Sequence, residues 1–310
     1  MNTILLVGGL TLLLLGGEWL LRAAVATAVR WQVPKVVVGM TIVSFATSLP
    51  ELITSIRAAL EGYPDLSLGN VVGSNIANLG FVLGIILLFG RIHVQKSFYQ
   101  FDWPVVFGVS LLLLFLLYNG TITQSEGIVL LVVLVAVMTY LIKFQPTVVV
   151  QETPDEVPFK SWVWVVFFIV LGSLGLAFGS QWLVKGAVGL ARAYDVSERV
   201  IGITLVSIGT SLPELVASGM AIIKKEQGIS IGNLIGSNLF NILTVLGVTA
   251  VIHPLQVGDA QLLAFDIWVM IGFAVILLPL VLFSKNLQLS WRQGLVLLLC
   301  YVAYMVQTLA

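Results

Sequence analysis

Long apolar runs recur from one end of the chain to the other, separated by short polar stretches. They fall near 3–29, 35–60, 68–90, 103–118 and 124–143, then near 161–191, 198–223, 231–252, 261–284 and 289–308. Most are long enough to cross about 30 Å of hydrocarbon as a helix. In lipid the backbone must satisfy its own hydrogen bonds, so the pattern predicts an all-α polytopic membrane protein of ten transmembrane helices. Between the fifth and sixth runs, QPTVVVQETPDEVPFK carries three prolines and three acidic residues. It reads as a cytoplasmic linker over 144–160, between halves at 1–143 and 161–310.

The polar positions inside the apolar runs are not scattered. The stretch 39–84, GMTIVSFATSLPEL…GNVVGSNIANLGFVLG, returns at 202–247 as GITLVSIGTSLPEL…GNLIGSNLFNILTVLG, at a constant offset of 163 residues with no gap. About half the aligned positions are identical, which marks an internal repeat. Thr41, Ser44, Thr47, Ser48, Pro50, Glu51, Gly69, Asn70, Gly73, Ser74, Asn75 and Asn78 recur as Thr204, Ser207, Thr210, Ser211, Pro213, Glu214, Gly232, Asn233, Gly236, Ser237, Asn238 and Asn241. Packing alone would more naturally repeat Leu and Val.

Composition supports the membrane reading: 59% of the chain is hydrophobic and 10% charged, with a mean hydropathy of +1.06. The net charge is zero, so nothing points to nucleic acid. Cys300 is the single cysteine, which excludes an intramolecular disulfide and a cysteine metal site. The opening MNTILLVGG lacks a basic n-region and reads as a retained span.

Lys and Arg set the expected orientation. The connections after runs 1, 3, 5, 7 and 9 hold Arg30, Lys35, Arg91, Lys96, Lys143, Lys160, Lys224, Lys225, Lys285 and Arg292, against Arg192 and Arg199 on the other side. Both termini are therefore expected outside the cytoplasm, in a prokaryotic inner or plasma membrane. With five helices per half, the second half must enter from the opposite face. The repeat is then inverted, as in many secondary transporters, with binding near the midplane.

Within each repeat the polar residues share a face. Ser44, Thr47, Ser48 and Glu51 stand at helical spacing, as do Ser207, Thr210, Ser211 and Glu214. Pro50 has no N–H, so the Ala46 carbonyl loses its partner and the Thr47 carbonyl is disturbed. A bound cation would re-satisfy such carbonyls. A glutamate within an apolar span points to function by default. Two carboxylates, hydroxyls and free carbonyls make an all-oxygen site suited to a hard cation such as Ca²⁺. The empty pair would not stay doubly ionised in low dielectric, so protons should compete. Ser74/Asn78 and Ser237/Asn241 stand at i, i+4, Gly73 and Gly236 permit close helix approach, and Asn75 and Asn238 are placed to orient the glutamates.

The pattern G-x-T-x-x-S-x-x-T-S-x-P-E followed by G-N-x-x-G-S-N, present in both halves, resembles the calcium/cation antiporter superfamily, specifically sodium/calcium exchangers of the prokaryotic type with two inverted α-repeats. That resemblance implies Glu51 and Glu214 as central Ca²⁺ ligands, with the Thr47 and Thr210 carbonyls completing the site. It implies flanking Na⁺ sites from Ser48, Ser211, Ser74, Ser237 and the carbonyls of Ser44 and Ser207, with Asn78 and Asn241 lining the centre. Some exchangers carry Asp where Asn241 stands; here both positions are Asn, which argues against potassium cotransport. The resemblance also implies that helices 1 and 6 slide to switch access.

Other features read as structural. Glu18 and Arg22 suggest a helix-end ion pair, since the equivalents are Gln181 and Lys185. Phe101-Asp102 and Phe265-Asp266 suggest interfacial caps. His93 and His253 lack metal spacing, and the Trp residues suit interfacial anchoring. The expected function is exchange of Na⁺ for Ca²⁺ by alternating access at the two-glutamate site. A proton-driven Ca²⁺ antiporter is the runner-up and a cation channel a remote third. No enzymatic constellation is present. No cofactor is called for; the partners are Ca²⁺ and Na⁺ as substrates and the bilayer, and one chain suffices.

Overall fold

The computed structural model describes residues 2–144, 159, 161–194 and 207–309. Most of the linker, and 195–206 with Thr204, lie outside them. The described residues are all-helical apart from four two-residue strands. Among the described residues seven helices are long and apolar enough to cross a membrane, or eight if one bent pair counts as a single span.

In chain order the helices are α1 (Asn2–Trp31), the bent pair α2 (Lys35–Thr47) and α3 (Leu49–Leu60), α4 (Pro64–Phe89), α5 (Phe98–Asn119) and α6 (Gln124–Phe144). The second half holds α7 (Trp162–Ala193), α8 (Ser207–Thr210), α9 (Leu212–Ile223), α10 (Gln227–Ile252), α11 (Leu262–Leu282) and α12 (Trp291–Leu309). The short α8 begins at the edge of the described residues, and α12 is diluted by Arg292, Gln293 and Gln307.

Proline makes the bend. Between α2 and α3 the axis turns by 43° at Ser48, whose backbone leaves the helical region at φ −85°, ψ 1°. Pro50 follows in the first turn of α3 and offers no N–H to the preceding turn. Ser211 repeats the break between α8 and α9 at φ −89°, ψ 5°, with Pro213 next. Each break starts a new helix one turn before a glutamate.

A second duplicated device is a π-helical turn, over Asn78–Val82 in α4 and Asn241–Leu246 in α10. Such turns widen a helix locally and recur at functional sites. Further π turns at Phe98–Asp102 and Leu262–Asp266 open α5 and α11. They correct the expectation that Asp102 and Asp266 are caps. Both residues are already helical and neither side chain caps an N–H, because the turn begins four residues earlier. Asp102 is buried instead, and Asp266 accepts the Tyr304 hydroxyl at 3.2 Å.

The strands fix how the halves relate. β1 (Ile92–His93) joins α4 to α5, β2 (Thr121–Ile122) joins α5 to α6, β3 (Leu255–Gln256) joins α10 to α11 and β4 (Gln288–Leu289) joins α11 to α12. β1 pairs antiparallel with β4 and β2 with β3. Each half thus sets its third-to-fourth connection beside the fourth-to-fifth connection of the other. That exchange requires the two halves to run in opposite directions.

The same antiparallel relation appears between α1 and α7, which meet through glycines. A Cβ on Gly16 would lie 2.8 Å from the Gly172 carbonyl oxygen, and one on Gly172 would lie 2.8 Å from the Gly16 oxygen. Gly9 and Gly179 make the reciprocal contact. These residues are themselves repeat equivalents, Gly9 with Gly172 and Gly16 with Gly179. Small residues let helix backbones approach closely in lipid. At the centre of the molecule α4 and α10 are the most buried helices, while α6 is the most exposed of the long ones. Large apolar side chains such as Phe89, Phe115, Val163 and Phe283 cover the outside, as a lipid-facing surface requires.

Candidate cation site between the two repeats

Glu51 lies in the first turn of α3 and Glu214 in the first turn of α9, each just past its helix break. The N-terminal end of a helix favours negative charge. Both residues are fully buried, at 1% and 0% exposure, and none of their four carboxylate oxygens makes a hydrogen bond. The two carboxylates are close enough to interact electrostatically, and the Thr47 and Ser237 hydroxyls, 3.2 Å apart, lie beside Glu214. A buried carboxylate without a partner costs several kcal/mol. Two of them together call for a positive charge between them.

The surrounding oxygens are also held open. The hydroxyls of Ser48, Ser211 and Ser74 and the amide oxygens of Asn78 and Asn241 are buried without a hydrogen-bond partner. The π turn bearing Asn241 packs against α3, which carries Glu51, and the turn bearing Asn78 packs against α9, which carries Glu214. The helix carrying each glutamate therefore meets the asparagine turn of the other half.

Not every expected ligand is free. The Ser44 hydroxyl lies 2.7 Å from the Gly39 carbonyl oxygen and 2.9 Å from that of Asn233 and shares its one proton between them, linking α2 to α10. The Ser44 carbonyl accepts from the Ser48 N–H at 2.9 Å and the Thr47 hydroxyl at 3.3 Å. Ser237 meets Thr47. Thr210 lines a cavity described below, and Ser207 begins α8 at the edge of the described residues.

The expectation that Asn75 and Asn238 orient the glutamates is corrected. Their amides face the other two asparagines: Asn241 Nδ2 donates to Asn75 Oδ1 at 3.1 Å, and Asn78 Nδ2 donates to Asn238 Oδ1 at 3.2 Å. The expectation that Gly236 allows close approach is met, since a Cβ there would lie 2.5 Å from the Met40 carbonyl oxygen. By the repeat offset, the partner of Gly73 lies at 203, outside the described residues.

Sequence reasoning missed two serines. Asn70 Nδ2 donates to Ser55 Oγ at 3.0 Å, and Asn233 Nδ2 to Ser218 Oγ at 2.9 Å. The signal was present: Ser55 and Ser218 follow Glu51 and Glu214 by four residues in both copies. These bonds tie the helix carrying each glutamate to the helix carrying its own half's asparagines.

Glu18 also differs from expectation. It binds Arg22 at 2.6 Å, but in the body of α1 and not at its end, and it takes a second cation, Lys224, at 3.2 Å. Among the described residues no cluster of His, Cys, Asp and Glu has the make-up of a structural metal centre.

The chain matches the family model described as sodium/calcium exchanger protein over residues 1–143 and 164–310. The chain belongs to the sodium/calcium exchanger family. This exchanger is 35% identical to CaxA of Alkalimonas amylolytica over 97% of both chains. It is 28% identical to the sodium/calcium exchanger MaX1 of Methanosarcina acetivorans, over 98% of this chain and 97% of that one. A solved structure of the sodium–calcium exchanger NCX_Mj superposes with a TM-score of 0.83 at 28% identity, covering 98% and 97% of the two chains. Family and fold are those of an integral membrane transporter of cations, not of an enzyme.

Proposed function

We propose that this exchanger is a secondary active antiporter that exchanges Na⁺ for Ca²⁺ by alternating access at one central site. The single observation that carries the reading is the pair Glu51 and Glu214, one from each inverted half, buried with all four oxygens unpartnered. Glu51 and Glu214 would be the central Ca²⁺ ligands, joined by the Thr47 and Thr210 carbonyls. Ser48, Ser211, Ser74, Ser237 and the carbonyls of Ser44 and Ser207 would serve flanking Na⁺ sites, with Asn78 and Asn241 lining the centre.

The mechanism follows from charge. Two carboxylates balance one Ca²⁺, and Ca²⁺ takes about 6–8 oxygens, a number this set can supply. Two Na⁺ satisfy the same two charges. Occupancy by one ion therefore excludes the other, and exchange needs no separate coupling device. Calorimetric titration with Ca²⁺ tests the shared site. One site is expected, with an apparent Kd that rises as Na⁺ is added; Ca²⁺ binding indifferent to Na⁺ would overturn the mechanism.

We read the topology as ten helices with both termini outside the cytoplasm, on the Lys and Arg count. A cavity of about 460 Å³ lies between α1, α3, α7 and α8, and it reaches Pro50 and Thr210 beside the site. It is lined by Asn2 and Leu5 at the start of α1 and by Arg192 near the end of α7, so it would open outside. Toward the other end, Glu18 fastens α1 to Lys224 just beyond α9, while Gln181 and Lys185, the repeat equivalents of Glu18 and Arg22, line the cavity. This arrangement supports a state in which the site is approached from the outside, with α1 fastened to the end of α9.

The ion pair should bias that state weakly, because the Lys224 side chain is 49% exposed and such pairs contribute at most about 1 kcal/mol. In a Cys300→Ala background, Lys224→Gln is expected to lower labelling of Thr54→Cys by an impermeant external thiol reagent about two- to fivefold. Unchanged labelling would remove the ion pair from the gating account.

A further inference from the structure

The four central asparagines form an interlock across the two halves. Asn75 and Asn78 belong to α4, and Asn238 and Asn241 to α10; all are buried, at 2%, 1%, 2% and 0% exposure. Asn241 donates to Asn75, Asn78 donates to Asn238, and the Asn75 Nδ2 donates to the Asn238 backbone carbonyl at 3.3 Å, with the Met270 sulfur at 3.7 Å. An amide has one donor end and one acceptor end, so these bonds fix which end faces which way. With its NH₂ committed to a carbonyl and a sulfur, Asn75 must present Oδ1 to Asn241. Asn241 must then answer with its NH₂, which leaves its own Oδ1 turned away, buried and unpartnered. Asn78 donates to Asn238 Oδ1 in the same way and its oxygen is likewise unpartnered, although no bond to the Asn238 NH₂ fixes that end.

Resting on the cation-exchange reading above, we propose that Asn75 and Asn238 are positioning residues that hold the Asn241 and Asn78 amides with oxygen, and not NH₂, turned to the transported cation. An amide flipped by 180° would present two N–H donors to a positive ion, replacing an attractive ligand with a repulsive one. Orientation therefore matters at these two positions as it does not at Glu51 or Glu214, where both ends are oxygen. The two anchors are unequal. Asn238 Nδ2 has no partner, and the repeat offset puts Phe107 where the other half has Met270. Asn75 is thus the firmer anchor, and Asn241 the more strictly oriented ligand.

The interlock also accounts for asparagine at 241. An aspartate there would offer oxygen whichever way it turned and would need no orienting acceptor, but it would set a carboxylate against Asn75 Oδ1. The roles of 75 and 241 are therefore linked, and a double-substitution cycle measures the link.

The cycle uses the full-length protein in detergent, read by the rise in unfolding temperature on adding Ca²⁺ or Na⁺, and in proteoliposomes by the concentration dependence of Ca²⁺ uptake. Asn75→Leu, near in size, is expected to weaken apparent Ca²⁺ affinity about tenfold or more while changing the maximal rate less. Asn238→Leu should cost less than Asn75→Leu. In an Asn241→Asp background, Asn75→Leu should cause no comparable loss, because it removes the oxygen set against the carboxylate. An equal loss in both backgrounds would overturn the proposal, because it would mean that Asn75 acts through packing. Reading the cycle with both ions keeps the two claims apart: a wild type that responds to only one of them corrects the ion assignment, and the amide test proceeds with that ion.

Discussion

Glu51→Gln and Glu214→Gln are each expected to abolish Na⁺-driven Ca²⁺ uptake. Both carboxylates are fully buried and neither has a hydrogen-bond partner in the protein. Removing one charge leaves a divalent ion half-balanced in low dielectric, a loss on the order of 3–5 kcal/mol. That corresponds to roughly a hundredfold or more in apparent Ca²⁺ affinity. Stability should move the other way. Without cation, a buried unpaired charge burdens the fold, so the Gln variants should unfold at the same temperature as the wild type or higher when cation is absent. Thermal unfolding in detergent with chelator checks this. A large drop in stability would instead mark the glutamates as a structural pair.

Gly236→Val should have the largest effect on the fold. The Gly236 Cα faces the backbone of α2, where an added Cβ would lie 2.5 Å from the Met40 carbonyl oxygen, 2.6 Å from its Cα, and against the Ser44 hydroxyl. Most of those atoms are backbone and cannot rotate away. Overpacking of this kind costs typically about 1–3 kcal/mol, and the larger Val side chain adds to it. The expected result is an unfolding temperature lower by on the order of 5–10 °C. The shift of α2 also draws on Ser44, which ties α2 to α10 beside the site. Gly108→Ala is the control, since nothing described lies within 4 Å of a Cβ there, and it should leave stability unchanged or slightly raised. Similar effects of the two substitutions would show that the α2–α10 contact is looser than described.

Much of this was legible because the site contradicts its surroundings. Ser, Thr, Asn and Glu at fixed spacing in apolar runs, repeated at a constant offset, have little to do with packing in lipid. The helix breaks were legible for the same reason: Pro50 and Pro213 are local chemistry, and the bends follow from them. Glycines 9 and 16 recur as 172 and 179 at the same offset, but apolar runs are often glycine-bearing, so the pair did not stand out. What stayed hidden depends on contacts between distant segments. Nothing in GSNIAN says that Asn75 points at Asn241 and not at a glutamate, because that choice belongs to the crossing of α4 and α10. Asp102 resembled a cap because the local sequence suits one. The π turn that begins at Phe98 places the residue inside the helix, and no local pattern announces it. Lys224 could not be assigned to Glu18 from sequence, since the two are brought together only by the packing of α1 against the other half.

The most direct measurement of the central claim is Ca²⁺ uptake into proteoliposomes loaded with Na⁺, beside vesicles loaded with K⁺ and vesicles carrying only a pH gradient. Uptake that requires the outward Na⁺ gradient, and is lost in Glu51→Gln and in Glu214→Gln, is the predicted result. Uptake that follows the pH gradient alone, or proceeds with no counter-ion, would contradict Na⁺/Ca²⁺ exchange.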